Sequence, residues 1–131
     1  MPSSRPLSPH LQIYRRTYTM VLSILHRATG LVLAAGAFLL VLGLIALVRG
    51  PDAYACVVRG LRSVPGLLIV AALVVSFWFH LCAGIRHLVA DTGRGLERRE
   101  ARRGAVLVVL GMALGSAFTF AALLHRLWGN P

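Results

Sequence analysis

The sequence contains no lysine and only four acidic residues, so its charge comes almost wholly from one residue type. All 14 basic residues are arginines, and the formal net charge is +10 at pH 7. Such a charge can indicate nucleic-acid binding, but these arginines flank apolar runs instead of forming a basic face. Aromatic–basic interleaving and zinc-ligand spacing are also lacking. The sequence therefore argues against a nucleic-acid partner.

Cysteine is scarce as well, with two residues in the whole chain. Cys56 falls in a predicted loop between apolar runs, whereas Cys82 falls inside such a run. Their different expected membrane depths argue against a disulfide between them, and neither has metal-site spacing. We interpret Cys82 as a small packing residue.

Apolar residues make up 57% of the chain, which is too high for an ordinary soluble domain of this length. Three segments lack Asp, Glu, Lys and Arg over the roughly 20 residues that a membrane crossing needs. Because lipid cannot satisfy backbone groups, these segments must be helical. We therefore predict an all-α membrane protein with one domain over residues 1–131 and a cytoplasmic N-terminal segment over residues 1–18. The three predicted transmembrane helices span about Thr19–Val48, Val64–Asp91 and Gly104–Trp128.

Arginine is distributed unevenly between the two ends of these segments. Most arginines lie before or early in the first segment, or around the second connection, which predicts a cytoplasmic N-terminus and a periplasmic C-terminus. The arginines on the predicted cytoplasmic side are Arg5, Arg15, Arg16, Arg27, Arg86, Arg94, Arg98, Arg99, Arg102 and Arg103.

Two histidines stand near the end of the second apolar segment. His80 and His87 are seven residues apart, so at about 100° per residue they share one helix face, roughly 10 Å apart along the axis. Gly84 lies between them on that face and leaves room for a flat group. Imidazoles facing inward from a membrane helix mark a functional site, and haem is a flat partner for such a histidine.

A second polar group opens the first segment. Ser23, His26 and Arg27 have i, i+3 and i+4 spacing and cluster on one helix. Antiparallel pairing would bring them level with His87, with His80 deeper. His80 would then ligate haem iron, and His26, Arg27 or His87 would meet the propionates. The same corner could bind a quinone headgroup through Ser23 and Arg27.

Simpler interpretations of these residues stay open from spacing alone. A membrane histidine often forms a helix–helix hydrogen bond, an arginine can snorkel to the interface, and a serine can bond its own helix. In the third segment, Gly111 and Gly115 with Thr119 favour close helix packing and indicate no chemistry.

Three motifs together resemble a known family. The sequences RPLSPHLQIYRR at Arg5–Arg16, SILHRATG at Ser23–Gly30 and HLCAGIRHLVAD at His80–Asp91 resemble the cytochrome b large membrane-anchor subunit of succinate dehydrogenase. The resemblance covers essentially the whole chain. Its N-terminal form is similar to the alphaproteobacterial and mitochondrial branch, and the short leader favours a multi-pass protein of the bacterial inner membrane.

The resemblance implies an electron-transfer role in respiratory complex II. A flavoprotein subunit would oxidise succinate, an iron–sulfur subunit would carry the electrons, and a small anchor subunit would share b-type haem with this chain. His80 matches the family's axial ligand, while the second ligand would come from the small anchor. Ser23 and Arg27 match quinone-site residues, and His26 and His87 match residues near the propionates.

Two other functions are considered beside this one. The first is a structural anchor of the same complex that has lost haem, against which the retention of His80 argues. The second is a small transporter subunit that uses intramembrane His and Arg as a proton relay, against which His80 and Gly84 on one face argue.

The arginine asymmetry makes a direct prediction about topology. A reporter fused after Pro131 is expected to read as periplasmic, and one inserted near Glu97 as cytoplasmic. Paired alkaline phosphatase and green fluorescent protein fusions at both positions measure this. The reverse pattern would contradict the orientation and the placement of the quinone site with it.

Overall fold

The computed structural model describes residues 17–128, and the regular structure in this range is helical. Three of its helices are long and apolar enough to cross a membrane, which confirms the prediction of an all-α membrane fold. Residues 1–16, which include most of the predicted N-terminal segment, lie outside the described range. The helices are α1 (Tyr18–Arg49), α2 (Pro51–Arg62), α3 (Val64–Asp91) and α4 (Arg98–Trp128).

The last helix begins earlier than its apolar run suggested. Gly104 was the expected start, but α4 begins at Arg98 and includes the arginine-rich stretch. Arginine is a good helix former, and Glu100 in the first turn complements the positive end of the helix dipole. The helix therefore extends out of the apolar zone by its own propensity.

The connection between the first two membrane helices is also helical, so the predicted loop around Cys56 is wrong. Gly50 adopts φ 117°, which favours glycine, and Pro51 then starts α2 with a preset φ. Cys56 is exposed on this short helix. Ser63 ends α2 and caps α3, because its hydroxyl accepts a hydrogen bond from the Gly66 N–H at 3.3 Å.

Helix α3 packs against α4 where glycines leave room for large side chains. A Cβ on Gly111 would lie 2.7 Å from the Cys82 Sγ, and a Cβ on Gly115 would overlap the Trp78 ring. The Trp78 Nε1–H also donates to the Thr119 hydroxyl at 3.0 Å. The small-residue spacing predicted for this segment is therefore a close helix contact.

One end of the bundle holds the start of α1, the end of α3 and the start of α4. The Tyr18 hydroxyl, at the beginning of α1, donates to the main-chain oxygen of Arg98 at 3.1 Å. Just inside this end lies the best-buried apolar cluster of the described residues. It comprises Leu22, Phe79, Ala83 and Val108. This cluster joins the three membrane helices and sets the depth of the polar residues beside it.

Glycine 115 provides a test of this packing. Gly115→Ala is expected to lower the stability of the folded protein by about 1–3 kcal/mol, because the added methyl group meets the Trp78 ring. Detergent-induced or thermal unfolding of the purified protein measures the change. Gly43→Ala is the control, because a Cβ there meets nothing within 4 Å. Equal behaviour of the two variants would contradict the proposed contact.

Candidate functional site

Three histidine rings form a column between α1 and α3. His26 of α1 stacks on His80 with ring centroids 4.0 Å apart and planes inclined by 14°. On its other side the His26 ring lies 5.0 Å from that of His87, tilted by 52°. Since His80 and His87 lie about two turns apart on α3, the ring of His26 fills the space between them.

A main-chain hydrogen bond fixes the orientation of His80. Its Nδ1 lies 3.1 Å from the carbonyl oxygen of His26 and 3.4 Å from the Thr29 hydroxyl oxygen. A carbonyl oxygen can only accept, so Nδ1 carries the proton in this arrangement. The Nε2 atom is then the ring nitrogen with a lone pair for another partner.

Glycines make this close approach of the helices possible. A Cβ on Gly30 would lie 3.1 Å from the His80 Cε1, which is tighter than an ordinary contact. A Cβ on Gly84 would lie 3.7 Å from the Nε2 of His26. The space that the sequence predicted beside Gly84 therefore faces an imidazole of α1.

The hydrogen-bonding capacity of the His26 ring is only partly used by its surroundings. Its Nε2 is buried and has no hydrogen-bond partner among residues 17–128. An unpartnered buried polar atom costs about 1–3 kcal/mol, which makes this nitrogen a candidate contact for a further group. Within the same residues, no group of three or more His, Cys, Asp or Glu side chains is arranged to hold a metal ion.

The two remaining predicted site residues lie beside the column and do not join it. Ser23 is half-buried and lies one turn before His26. Arg27 follows His26 directly and is exposed. The structure thus groups His26, His80 and His87 and leaves Ser23 and Arg27 available at its edge.

Two residues that lie next to His80, Thr29 and Gly30, were not predicted from the sequence as parts of the site. The single hydroxyl proton of Thr29 is within reach of the carbonyl oxygens of Leu25 and His26 at 2.9 and 3.0 Å, and the hydroxyl oxygen lies 3.4 Å from the His80 Nδ1. Gly30 supplies the gap for the His80 ring. Both lie three or four residues after His26, so helical spacing could have placed them on its face.

Comparison with known proteins assigns this sequence to a family. Residues 1–121 match the family described as the succinate dehydrogenase/fumarate reductase transmembrane subunit. The chain belongs to this family. The resemblance of the three sequence motifs is thereby confirmed, and the protein is a multi-pass membrane subunit of an oxidoreductase complex.

The sequence of this chain is similar to those of individual relatives over most of their length. The chain is 40% identical over 116 residues to the succinate dehydrogenase cytochrome b556 subunit of Paracoccus denitrificans, covering 88% of this chain and 89% of the relative. It is 38% identical over 116 residues to the human mitochondrial cytochrome b560 subunit, covering 87% and 69% respectively. The cytochrome b560 subunit of Reclinomonas americana is 37% identical over 128 residues, with 94% and 85% covered.

Proposed function

We propose that this chain is the haem- and quinone-binding anchor of a succinate:quinone oxidoreductase. The observation that carries the proposal is the orientation of His80, whose Nδ1 is engaged by the His26 carbonyl while Nε2 is left for a ligand. Cytochrome b relatives along nearly the whole chain support the same assignment. Family membership also favours a complex subunit over the transporter alternative.

The residues present fit a b-type haem with one axial ligand from this chain. Histidines that ligate metals usually donate their other ring N–H to a carbonyl or carboxylate, as His80 does. The haem, when bound, supplies one-electron redox capacity.

The edge of the histidine column fits the anionic part of the group. His26 brings a buried nitrogen that has no partner among residues 17–128, and His87 is the next imidazole toward the end of the bundle. Arg27 adds a permanent positive charge beside them. Carboxylates in a low-dielectric zone need such donors, so we assign the propionates to His26, Arg27 and His87.

Quinone is proposed as the substrate reduced beside Ser23 and Arg27. A quinone carbonyl oxygen accepts hydrogen bonds, and the Ser23 hydroxyl and the Arg27 guanidinium can both donate. Reduction to the quinol takes two electrons and two protons, so donors at the carbonyl stabilise the charge that develops there. The polar pair lies near the start of α1.

The remaining subunits and the location follow from the same proposal. Succinate oxidation is assigned to a flavoprotein subunit, and electron delivery to an iron–sulfur subunit docked near the start of α1. A small anchor subunit completes the haem-binding bundle within the lipid. We assign the assembly to a bacterial inner membrane, with the N-terminus cytoplasmic and the C-terminus periplasmic, from the arginine distribution.

His80 gives the most direct test of haem binding. His80→Ala is expected to abolish or severely perturb the b-type absorbance of the purified complex, because the chain loses its imidazole ligand. Reduced-minus-oxidised spectra and haem content per complex measure this. His125→Ala removes an exposed imidazole near the other end of α4 and is the matched control. A normal bis-histidine spectrum with full haem content in His80→Ala would overturn the assignment of His80 as the axial ligand.

Ser23 and Arg27 separate the quinone role from the haem role. Ser23→Ala is expected to weaken quinone binding about tenfold to a hundredfold, since one hydrogen bond to the headgroup contributes about 1–3 kcal/mol. Arg27→Leu is expected to weaken it further and to shift the haem potential. Quinone reduction at limiting quinone is the measurement, with haem spectrum and subunit content recorded beside it.

The control for this experiment is a serine elsewhere in the bundle. Ser116 is buried in α4, and its hydroxyl has no partner among residues 17–128, so Ser116→Ala is expected to keep normal quinone kinetics. Succinate oxidation with an artificial acceptor that bypasses the membrane should survive in every variant. Wild-type quinone kinetics in Ser23→Ala would assign Ser23 to helix packing instead.

A further inference from the structure

A cavity lies on the other side of α3 from the histidine column. It has a volume of about 420 Å³ between the end of α3 and the start of α4. Its apolar walls include Cys82, Val89 and Leu107. At about 100° per residue, Cys82 and Val89 are roughly 140–180° around α3 from His80 and His87. The cavity is therefore separate from the proposed haem and quinone site.

The polar side of this cavity is strongly basic. Arg86, Arg94 and Arg103 line it together with one acidic residue, Glu100. The Glu100 Oε2 accepts a hydrogen bond from the Gly95 N–H at 3.1 Å, which holds the carboxylate against the α3–α4 connection. The lining thus carries three positive charges and one negative charge, a formal excess of two positive charges.

Arg86 is held at this cavity by the packing of the two helices. Its side chain runs past Gly104, where a Cβ would lie 3.3 Å from Nε and 3.5 Å from Cδ. The residue is half-buried, and its Nε and Cδ lie close to α4, so the side chain is partly removed from water. Burying a charge without a partner is costly, and a bound anion would offset that cost.

The positive charge at the start of α4 also favours a bound anion. Its first two turns carry Arg98, Arg99, Arg102 and Arg103 at the positive end of the helix dipole, where cations are unfavourable. Arg99, Arg102 and Arg103 line a second groove of about 570 Å³ on the same helix. This groove shares Arg103 and Leu107 with the cavity between α3 and α4.

From these features we propose that the α3–α4 cavity binds an anionic phospholipid. Arg86 and Arg103 directly flank the uncharged runs 63–85 and 104–124, which places them at the boundary between hydrocarbon and headgroups. The phosphate lies among Arg86, Arg94 and Arg103, and an acyl chain packs against the apolar wall of the cavity. An acidic loop of a partner protein would match the arginines and leave that apolar wall without an occupant. The inference does not rest on haem or quinone binding.

The test measures lipid binding by the assembly purified in detergent and stripped of lipid. Native mass spectrometry follows its titration with phosphatidylglycerol and, separately, with phosphatidylcholine of the same acyl chains. The double variant Arg94→Gln, Arg103→Gln is expected to bind phosphatidylglycerol on the order of thirtyfold more weakly, since each arginine contributes about fivefold. The matched control is Arg59→Gln, Arg62→Gln, which removes the same charge from α2 and is expected to bind normally.

A third variant tests the cavity itself with all charges kept. Leu107→Trp fills the apolar wall and is expected to weaken binding of phosphatidylglycerol, whereas inorganic phosphate should not displace the lipid from the unaltered assembly. Normal phosphatidylglycerol binding by Leu107→Trp would overturn the cavity site. Equal affinity for phosphatidylcholine, or an equal loss in the α2 control, would overturn the role of the arginines. Unchanged lipid binding with release of the soluble subunits from the double variant would assign the arginines to a protein contact.

Discussion

Close approach at glycines holds this membrane bundle together. In lipid the apolar side chains gain nothing by leaving the solvent, so helices associate through van der Waals contact and interhelical hydrogen bonds. Helix α3 uses both devices on two sides. It packs His80 against Gly30 of α1 on one side and Trp78 against Gly115 of α4 on the other. Because α3 is held by these contacts on two sides, its rotation and depth are fixed, and every polar residue on it has a defined position.

The same contacts place histidines on one side of α3 and an arginine on another. The face toward α1 collects His80 and His87 around His26, where imidazole nitrogens are the available ligands. The face toward α4 ends in Arg86, whose side chain lies along Gly104. His87 and Arg86 are neighbours in sequence but about 100° apart on the helix. Adjacent residues can therefore serve separate sites without competing for one partner.

Much of this arrangement can be predicted from the sequence because a bilayer imposes simple rules. Charge-free length identifies the three spans, and the limits expected for the middle span, Val64–Asp91, are those observed for α3. Helical periodicity places His80 and His87 on one face, as the structure has them. Spacing of small residues also predicts the α3–α4 contact at Gly111 and Gly115.

Other features of the fold and the site were not predicted, because they depend on contacts between segments or on regions outside the lipid. Helix α2 is short and carries only moderate apolar character, so a charge-and-length criterion treats it as a loop. The start of α4 at Arg98 follows from helix propensity in water, which hydropathy does not measure. Antiparallel pairing predicts that His26 is near His87, but its stacking on His80 follows from the gap at Gly30 and the bond to the His26 carbonyl.

The large apolar surface of the chain bears on how the proposed haem and the assembly would be coupled. Leu31, Val48 and Phe118 are 75%, 88% and 74% exposed, and the described residues include no large side chain that is fully buried. Such a bundle has little internal packing to stabilise it and must cover its faces with lipid or another subunit. If His80 provides one ligand and a second anchor the other, haem binds only to the assembled pair. Its binding free energy then stabilises the assembly, by the linkage that favours any state to which a ligand binds selectively. Haem retention in this protein would therefore report on subunit association as much as on the integrity of His80.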